Sequence, residues 1–190
     1  MRIFPLFIFK GIESVYKKTP NDVNKMLFAT VEVGDLKAAN KIISIPGFDV
    51  NNPRDIYGHT FLGNAAFNGH YKIAEALIKK GANVNEKVRD FYTALHAAIE
   101  GSALEDLNGN LKVIDLLLKH GADINSGPFT PLMGAAIQGK KEVMELLISR
   151  GADPKLKDEE GRTAADFINH GRAHGKVQLI KELTEILEKP

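Results

Sequence analysis

Leu116-Leu117-Leu118-Lys119-His120-Gly121-Ala122-Asp123-Ile124-Asn125 is an apolar helical stretch that runs into a glycine and then into alternating polar and apolar residues. The glycine can take the left-handed conformation that ends a helix. His120 falls in the last turn, where a cation interacts well with the helix dipole. The tail recurs as Gly81-Ala82-Asn83-Val84-Asn85 and as Gly151-Ala152-Asp153-Pro154, with a weaker copy at Gly47-Phe48-Asp49-Val50-Asn51. An apolar helical stretch precedes each copy: Ile42-Ile43, Ala76-Leu77-Ile78 and Leu146-Leu147-Ile148.

A second element recurs in phase with the first. It opens at Thr60, Thr93, Thr130 and Thr163, with spacings of 33, 37 and 33 residues. The copies begin Thr60-Phe61-Leu62, Thr93-Ala94-Leu95-His96, Thr130-Pro131-Leu132 and Thr163-Ala164-Ala165. Thr130-Pro131 has the form of a helix start, with a threonine cap and proline at the first helical position. The pairs Ala65-Ala66 and Ala135-Ala136, with Ala98-Ile99, are small enough for helices to approach closely. Each unit is therefore expected to be a short helix, a turn, a longer helix and an extended loop. One such unit cannot bury its apolar face alone, whereas a stack can.

The period and the Thr-Ala-Leu-His element resemble the ankyrin repeat. The resemblance covers about residues 24–190 and implies an all-α solenoid of five helix-turn-helix repeats with hairpin-like loops, at about 24–55, 56–88, 89–126, 127–158 and 159–190. The first and last are degenerate, as caps of a stack are. Only Thr93-Ala94-Leu95-His96 keeps the motif histidine, which is expected to make structural hydrogen bonds; Gly63, Met133 and Asp166 stand in its place elsewhere. The third unit carries about seven extra residues, roughly Gly101–Leu107, because Leu95 to Gly109 is 14 residues where Leu62 to Gly69 is 7. They fall at the turn between its helices, and the insertion is a second candidate binding element. The last unit resumes after a small insertion as Leu179, Ile180, Leu183, Ile186 and Leu187, a spacing suited to a capping helix.

Residues 1–23 stand outside the repeats. Phe4, Phe7 and Phe9 are expected to cover the first unit, and Lys17–Asn24 to form a polar link into its first helix. The charge and apolar run of residues 1–10 also resemble a minimal signal sequence, although Pro5 interrupts the run and no Ala-x-Ala-like site follows. A cytoplasmic location is expected, with export as the alternative.

Composition narrows the chemistry. The 190 residues are 44% hydrophobic and 26% charged, as in an ordinary soluble domain. The net charge is +1 and is spread evenly, at +2 over residues 1–57, −1 over 58–125 and zero over 126–190. Nucleic acid is therefore not the expected partner. No apolar run approaches the ~20 residues of a membrane span. The absence of cysteine excludes thiolate catalysis and cysteine–zinc sites. No nucleophile elbow of the form G-x-S-x-G and no phosphate loop is present. Asp166, His170 and His174 have the i, i+4, i+8 spacing of one helix face, but Gly171 and Gly175 interrupt it and a solvated turn is the expected reading. Neither an enzyme nor a cofactor is expected.

The resemblance then implies a monomeric module that binds another protein through the hairpin tips and the inner face of the first helices. By position, the second unit offers Arg54, Ile56, Tyr57, His59, Phe67 and Asn68, and the third Lys87, Arg89, Asp90, Tyr92 and Glu100. The fourth offers Phe129, Ile137 and Gln138, and the fifth Glu159, Glu160, Arg162 and His170. Tyrosine, arginine and large aromatics are the side chains that most often anchor interfaces. Phe67 and Phe129 either serve a partner or pack against neighbouring helices. The alternative within this class is a stoichiometric inhibitor or immunity protein that masks one dedicated enzyme, an idea suggested by the small size.

Overall fold

The computed structural model describes residues 17–51, 58–88, 92–101, 107–170 and 177–188. Ten helices occur among the described residues: α1 Pro20–Glu32, α2 Leu36–Ile43, α3 Phe61–Phe67, α4 Tyr71–Lys79, α5 Ala94–Gly101, α6 Leu107–Lys119, α7 Pro131–Gln138, α8 Lys141–Ser149, α9 Ala164–His170 and α10 Val177–Leu187. Consecutive helices pair within a unit. Across units, α1, α3, α5, α7 and α9 stack in order as one layer, and α2, α4, α6, α8 and α10 stack as the other. This is the all-α repeat solenoid that the resemblance implies.

The recurring threonines start the first helix of three units. Thr60 Oγ1 accepts from Gly63 N at 2.9 Å, Thr130 Oγ1 from Met133 N at 3.3 Å, and Thr163 Oγ1 donates to the Asp166 carboxylate at 2.9 Å. The recurring glycines end the second helices: Gly47, Gly81, Gly121 and Gly151 all have φ between 75 and 98°. His120 Nδ1 meets the Leu116 carbonyl at 2.9 Å, so the ring is spent on its own last turn. The alanine pairs Ala65-Ala66 and Ala135-Ala136 are fully buried between layers, and Leu117, Leu147 and Leu77 from the outer helices fill the space between them.

Three departures from expectation have physical reasons. Lys17–Asn24 is not a link throughout, because α1 starts at Pro20 and already buries Val23 completely. Thr19-Pro20 is the same Thr-Pro pair that opens α7 at Thr130-Pro131. The insertion is also partly helical at its ends: Gly101 is the last residue of α5 and Leu107 the first of α6, which runs 13 residues where α4 and α8 run 9. The extended loops contribute only one bridge among the described residues, Val88 to Tyr92. Residues 1–16, with Phe4, Phe7 and Phe9, and residues 102–106 lie outside the described residues.

Two ladders of side-chain hydrogen bonds tie unit to unit. In the loops, Asn51 Nδ2 donates to Gly81 O (2.9 Å) while its Oδ1 accepts from Asn83 N (2.8 Å). Asn85 does the same to Gly121 O and Asp123 N, both at 2.8 Å, and Asn125 Oδ1 accepts from Asp153 N at 3.0 Å. Only a side chain carrying both a donor and an acceptor at one tip can do this, which is why asparagine recurs there.

The second ladder occupies the position 11 residues before each terminal glycine, namely His70, Asn110 and Lys140. His70 Nε2 lies 3.2 Å from the Glu32 carbonyl at the end of α1. Asn110 Nδ2 reaches Ala66 O (2.9 Å) and Phe67 O (3.2 Å) at the end of α3, and Ala98 O (3.1 Å) in α5. The Lys140 ammonium, itself buried, donates to Ile99 O and, at 3.1 Å, to Glu100 O at the end of α5. Each donor comes from one unit and serves carbonyls that close the first helix of the unit before it, where a helix has acceptors to spare.

Candidate functional site

One register of the first helices builds the inner surface. Counting from the capping threonine, the residue just before it is His59, Tyr92, Phe129 or Arg162. Four residues after it stand Asn64, Ala97, Gly134 and Phe167, and seven after it Phe67, Glu100, Ile137 and His170. The last two rows are three residues apart on a helix and so share a face, and the first lies just ahead of the helix start.

Two adjoining hollows lie on that face. The first, about 320 Å³, is lined by Glu32, His59, Gly63, Asn64, Phe67, Asn68, Tyr92, Ala97 and Glu100. The second, about 270 Å³, is lined by Tyr92, His96, Ile99, Glu100, Phe129, Pro131, Gly134, Ile137 and Gln138. Tyr92 and Glu100 belong to both and form the wall between them. The Tyr92 hydroxyl donates a very short hydrogen bond to Glu100 Oε2. Burial, and then that carboxylate, hold the phenol well above its ordinary range, so it stays protonated and the wall stays joined.

The size of the residue four after the threonine explains where a hollow forms. Ala97 and Gly134 leave space, and each lines one hollow. In the fifth unit the same position is Phe167. Its ring takes the edge of Phe129 at 5.2 Å, and the Arg162 guanidinium lies over it at 4.7 Å.

His96 braces the second hollow from behind. The ring is buried. Its Nδ1 lies 3.0 Å from Thr93 Oγ1 and accepts from Thr93 N at 3.3 Å, while Nε2 meets Phe129 O at 3.1 Å. A carbonyl only accepts, so Nε2 carries the proton and the ring is neutral. Burial lowers the pKa of His96, as this arrangement requires. The ring therefore fixes the Phe129 backbone of the next unit, the structural role expected of it. Gly63 and Met133 have no ring to reach across. Asp166 serves its own cap, accepting from Thr163 N at 2.7 Å.

Of the eighteen partner-binding candidates, thirteen lie in the described residues, and eight of those line the hollows: His59, Phe67, Asn68, Tyr92, Glu100, Phe129, Ile137 and Gln138. Phe67 and Phe129 are each half-buried against the core, the packing expected of them, and each also lines a hollow. Lys87 is exposed on its loop and lines neither. Arg162 is engaged within its own loop, donating to Asp158 Oδ2 at 2.8 Å and Glu160 Oε2 at 2.7 Å. Arg54, Ile56, Tyr57, Arg89 and Asp90 lie outside the described residues, as does His174.

Sequence reasoning missed Glu32, Asn64 and Gly134. Glu32 stands two residues before Gly34, as Phe67 does before Gly69 and Ile137 before Gly139. Applying that register to the first unit would have found it. Among the described residues no group of three or more His, Asp or Glu could hold a metal ion, and no helix is long and apolar enough to cross a membrane.

Comparison with known proteins agrees with this architecture. The family profile described as ankyrin repeats, in three copies, matches residues 26–127 and 103–158. The chain is similar to Protein fem-1 homolog A-like of Mus musculus, 35% identical over 92 residues, covering 48% of this chain and 13% of that protein. It is also similar to Ankyrin repeat and KH domain-containing protein mask-1 of Caenorhabditis elegans, 34% identical over 170 residues, covering 89% of this chain and 5% of the other. Rabankyrin-5 of Mus musculus is 31% identical over 102 residues, covering 49% of this chain and 8% of its own length. The chain thus spans between 5% and 13% of these relatives.

Proposed function

Because the chain belongs to the ankyrin-repeat family, we propose that it is a non-catalytic protein–protein interaction module, acting as a monomer, that grips one segment of a partner protein along the face carrying the two hollows. The observation that carries this reading is the pair of adjoining hollows sharing the Tyr92–Glu100 wall. Their linings mix aromatic and aliphatic side chains with a few polar groups, the composition of binding hot spots. The surface is also preorganised, since the wall is hydrogen-bonded and Phe129 is fixed by His96. A partner therefore meets a surface that loses little entropy on docking.

The test is a triple variant, Phe67→Ala/Tyr92→Ala/Ile137→Ala, which strips one large side chain from each part of the surface. Affinity capture from native lysate is compared with wild type, with circular dichroism showing that the helices persist. Truncation of one anchor typically costs ~2 kcal/mol, so the captured partner should be lost from the variant. Undiminished capture by the folded variant would move the binding site off this face.

A further inference from the structure

The donors and acceptors of the first hollow are unequally used. The Tyr92 hydroxyl hydrogen is committed to Glu100 Oε2. Asn68 Nδ2 donates to Asn64 O at 2.9 Å and to Asn64 Oδ1 at 3.2 Å. The acceptors these contacts leave are the second oxygen of Glu100, the Oδ1 of Asn68 and the carboxylate of Glu32, a residue of the same lining; the lining groups that can donate are the Asn64 amide and the His59 ring. Among the described residues no lysine or arginine is on that lining, and the Lys140 ammonium is turned instead to the carbonyls of Ile99 and Glu100. Glu32 and Glu100 share this lining with Phe67 and Tyr92, which suits a group that is cationic, rich in donors and flat enough to lie on an aromatic face. Guanidinium has five donors in a planar fork and stacks on aromatic rings, whereas ammonium is compact and strongly hydrated.

The second hollow has the opposite character. Ile99, Phe129, Pro131 and Ile137 dominate its lining, and the small Gly134 gives it depth. A Cβ built at Gly134 would meet only Phe129 Cε1 at 3.6 Å and Ile99 Cγ2 at 3.9 Å, which is ordinary contact. We propose that the partner segment presents an arginine to the first hollow, between Glu32 and Glu100, and a bulky apolar side chain to the second. This rests on the reading of the preceding subsection and adds the chemistry of the partner.

A phage-displayed library of random linear 12-residue peptides, panned against the full chain, supplies the probe. Enriched peptides are synthesised, and their affinities are measured by fluorescence polarisation for wild type and three variants. Glu32→Gln/Glu100→Gln removes the charge and keeps the shape. Gly134→Phe fills the second hollow as Phe167 fills the equivalent place in the last unit. Phe67→Ala/Tyr92→Ala tests whether the peptide sits in the hollows at all. The expected peptides pair an arginine with a large apolar residue and bind the double glutamine variant about tenfold more weakly or worse. That difference should vanish when the peptide arginine is replaced by citrulline. Gly134→Phe should weaken binding with or without the arginine.

Peptides that bind the hollows but carry no basic residue, or that ignore the double glutamine variant, overturn the arginine assignment and leave the docking face standing. Peptides indifferent to Phe67→Ala/Tyr92→Ala count against both. If no peptide is enriched, the hollows take no short segment and the assignment falls, while capture with the triple variant still decides the broader reading. Concentration-dependent dimerisation in sedimentation velocity, lost in Gly134→Phe, would identify a second copy of the chain as the occupant and would also overturn the proposal.

Discussion

Asn110→Asp exchanges one amide for a carboxylate of the same shape and should be among the most damaging single changes in the chain. Asn110 is 2% exposed, and its Nδ2 faces three carbonyls, Ala66 O at 2.9 Å, Ala98 O at 3.1 Å and Phe67 O at 3.2 Å. Two hydrogens serve these three acceptors, so at least two hydrogen bonds are lost. Each is worth ~1 kcal/mol net while it exists, and a buried acceptor left bare costs ~1–3 kcal/mol. An ionised oxygen pointed at three carbonyl oxygens adds a buried, unpaired charge, for which ~3–5 kcal/mol is typical. These costs overlap, so we expect a loss of about 4 kcal/mol at neutral pH, which is a large part of the ~5–15 kcal/mol that holds a domain folded. The contacts join the second and third units, so the damage should show as uncoupling of the stack rather than fraying at one end.

The assay is urea unfolding at pH 7, followed by circular dichroism and by tyrosine fluorescence. Asn110→His is the control, because it imports the donor used at position 70 one unit earlier. It should lose clearly less than Asn110→Asp. Lowering the pH should partly rescue Asn110→Asp, since a protonated carboxyl regains one donor. A loss below ~1 kcal/mol for Asn110→Asp, the range of an exposed hydrogen bond, would refute the idea that donation to these carbonyls couples the units.

Three further outcomes are expected. Gly101→Ala should cost about 3 kcal/mol or more, because a Cβ there would lie 1.7 Å from Phe67 O; Gly134→Ala, with open space and a helix interior around it, should be neutral or stabilising by up to ~1 kcal/mol, and thermal midpoints of the pair decide this. Lys140→Met keeps the length but not the charge, and should lose ~2 kcal/mol by removing the buried donor to the Ile99 and Glu100 carbonyls, as urea midpoints would show. For His96 the folded pKa is lowered from the ordinary 6.5, so the unfolded chain takes up the proton first as pH falls. Stability should therefore be level above about pH 6.5 and decline below it at up to ~1.4 kcal/mol per pH unit, until the folded ring also titrates. His96→Asn should remove that part of the slope, and an unchanged slope between pH 7 and 5 would show that another group is responsible.

The fold was legible because its signals are local. A threonine cap, an alanine pair and a terminating glycine each act within one helical turn, and their recurrence at a near-constant period forces one repeated shape. The register of the site was legible for the same reason: His59, Tyr92 and Phe129 each precede a capping threonine, so they must line up when the units stack. What joins the units was not legible. His70, Asn110 and Lys140 share no chemical class as side chains. They become equivalent only once the carbonyls at the end of the preceding first helix, 38 to 44 residues away, are seen to need a donor.

The same distinction bears on Arg162. By position it belongs with Tyr92 and Phe129. Asp158 and Glu160, four and two residues earlier, already offered it carboxylates, and an arginine with local partners is not free to serve a distant one. Phe167 completes the reason. Where the fifth unit carries a large ring four residues after its threonine, Phe167 takes the place that Gly134 leaves open one unit earlier, and Arg162 lies over that ring. Glu100 is the converse case. Its local partner, Tyr92, consumes one oxygen and leaves the other, so the pair that divides the two hollows also keeps a charge available to whatever enters them.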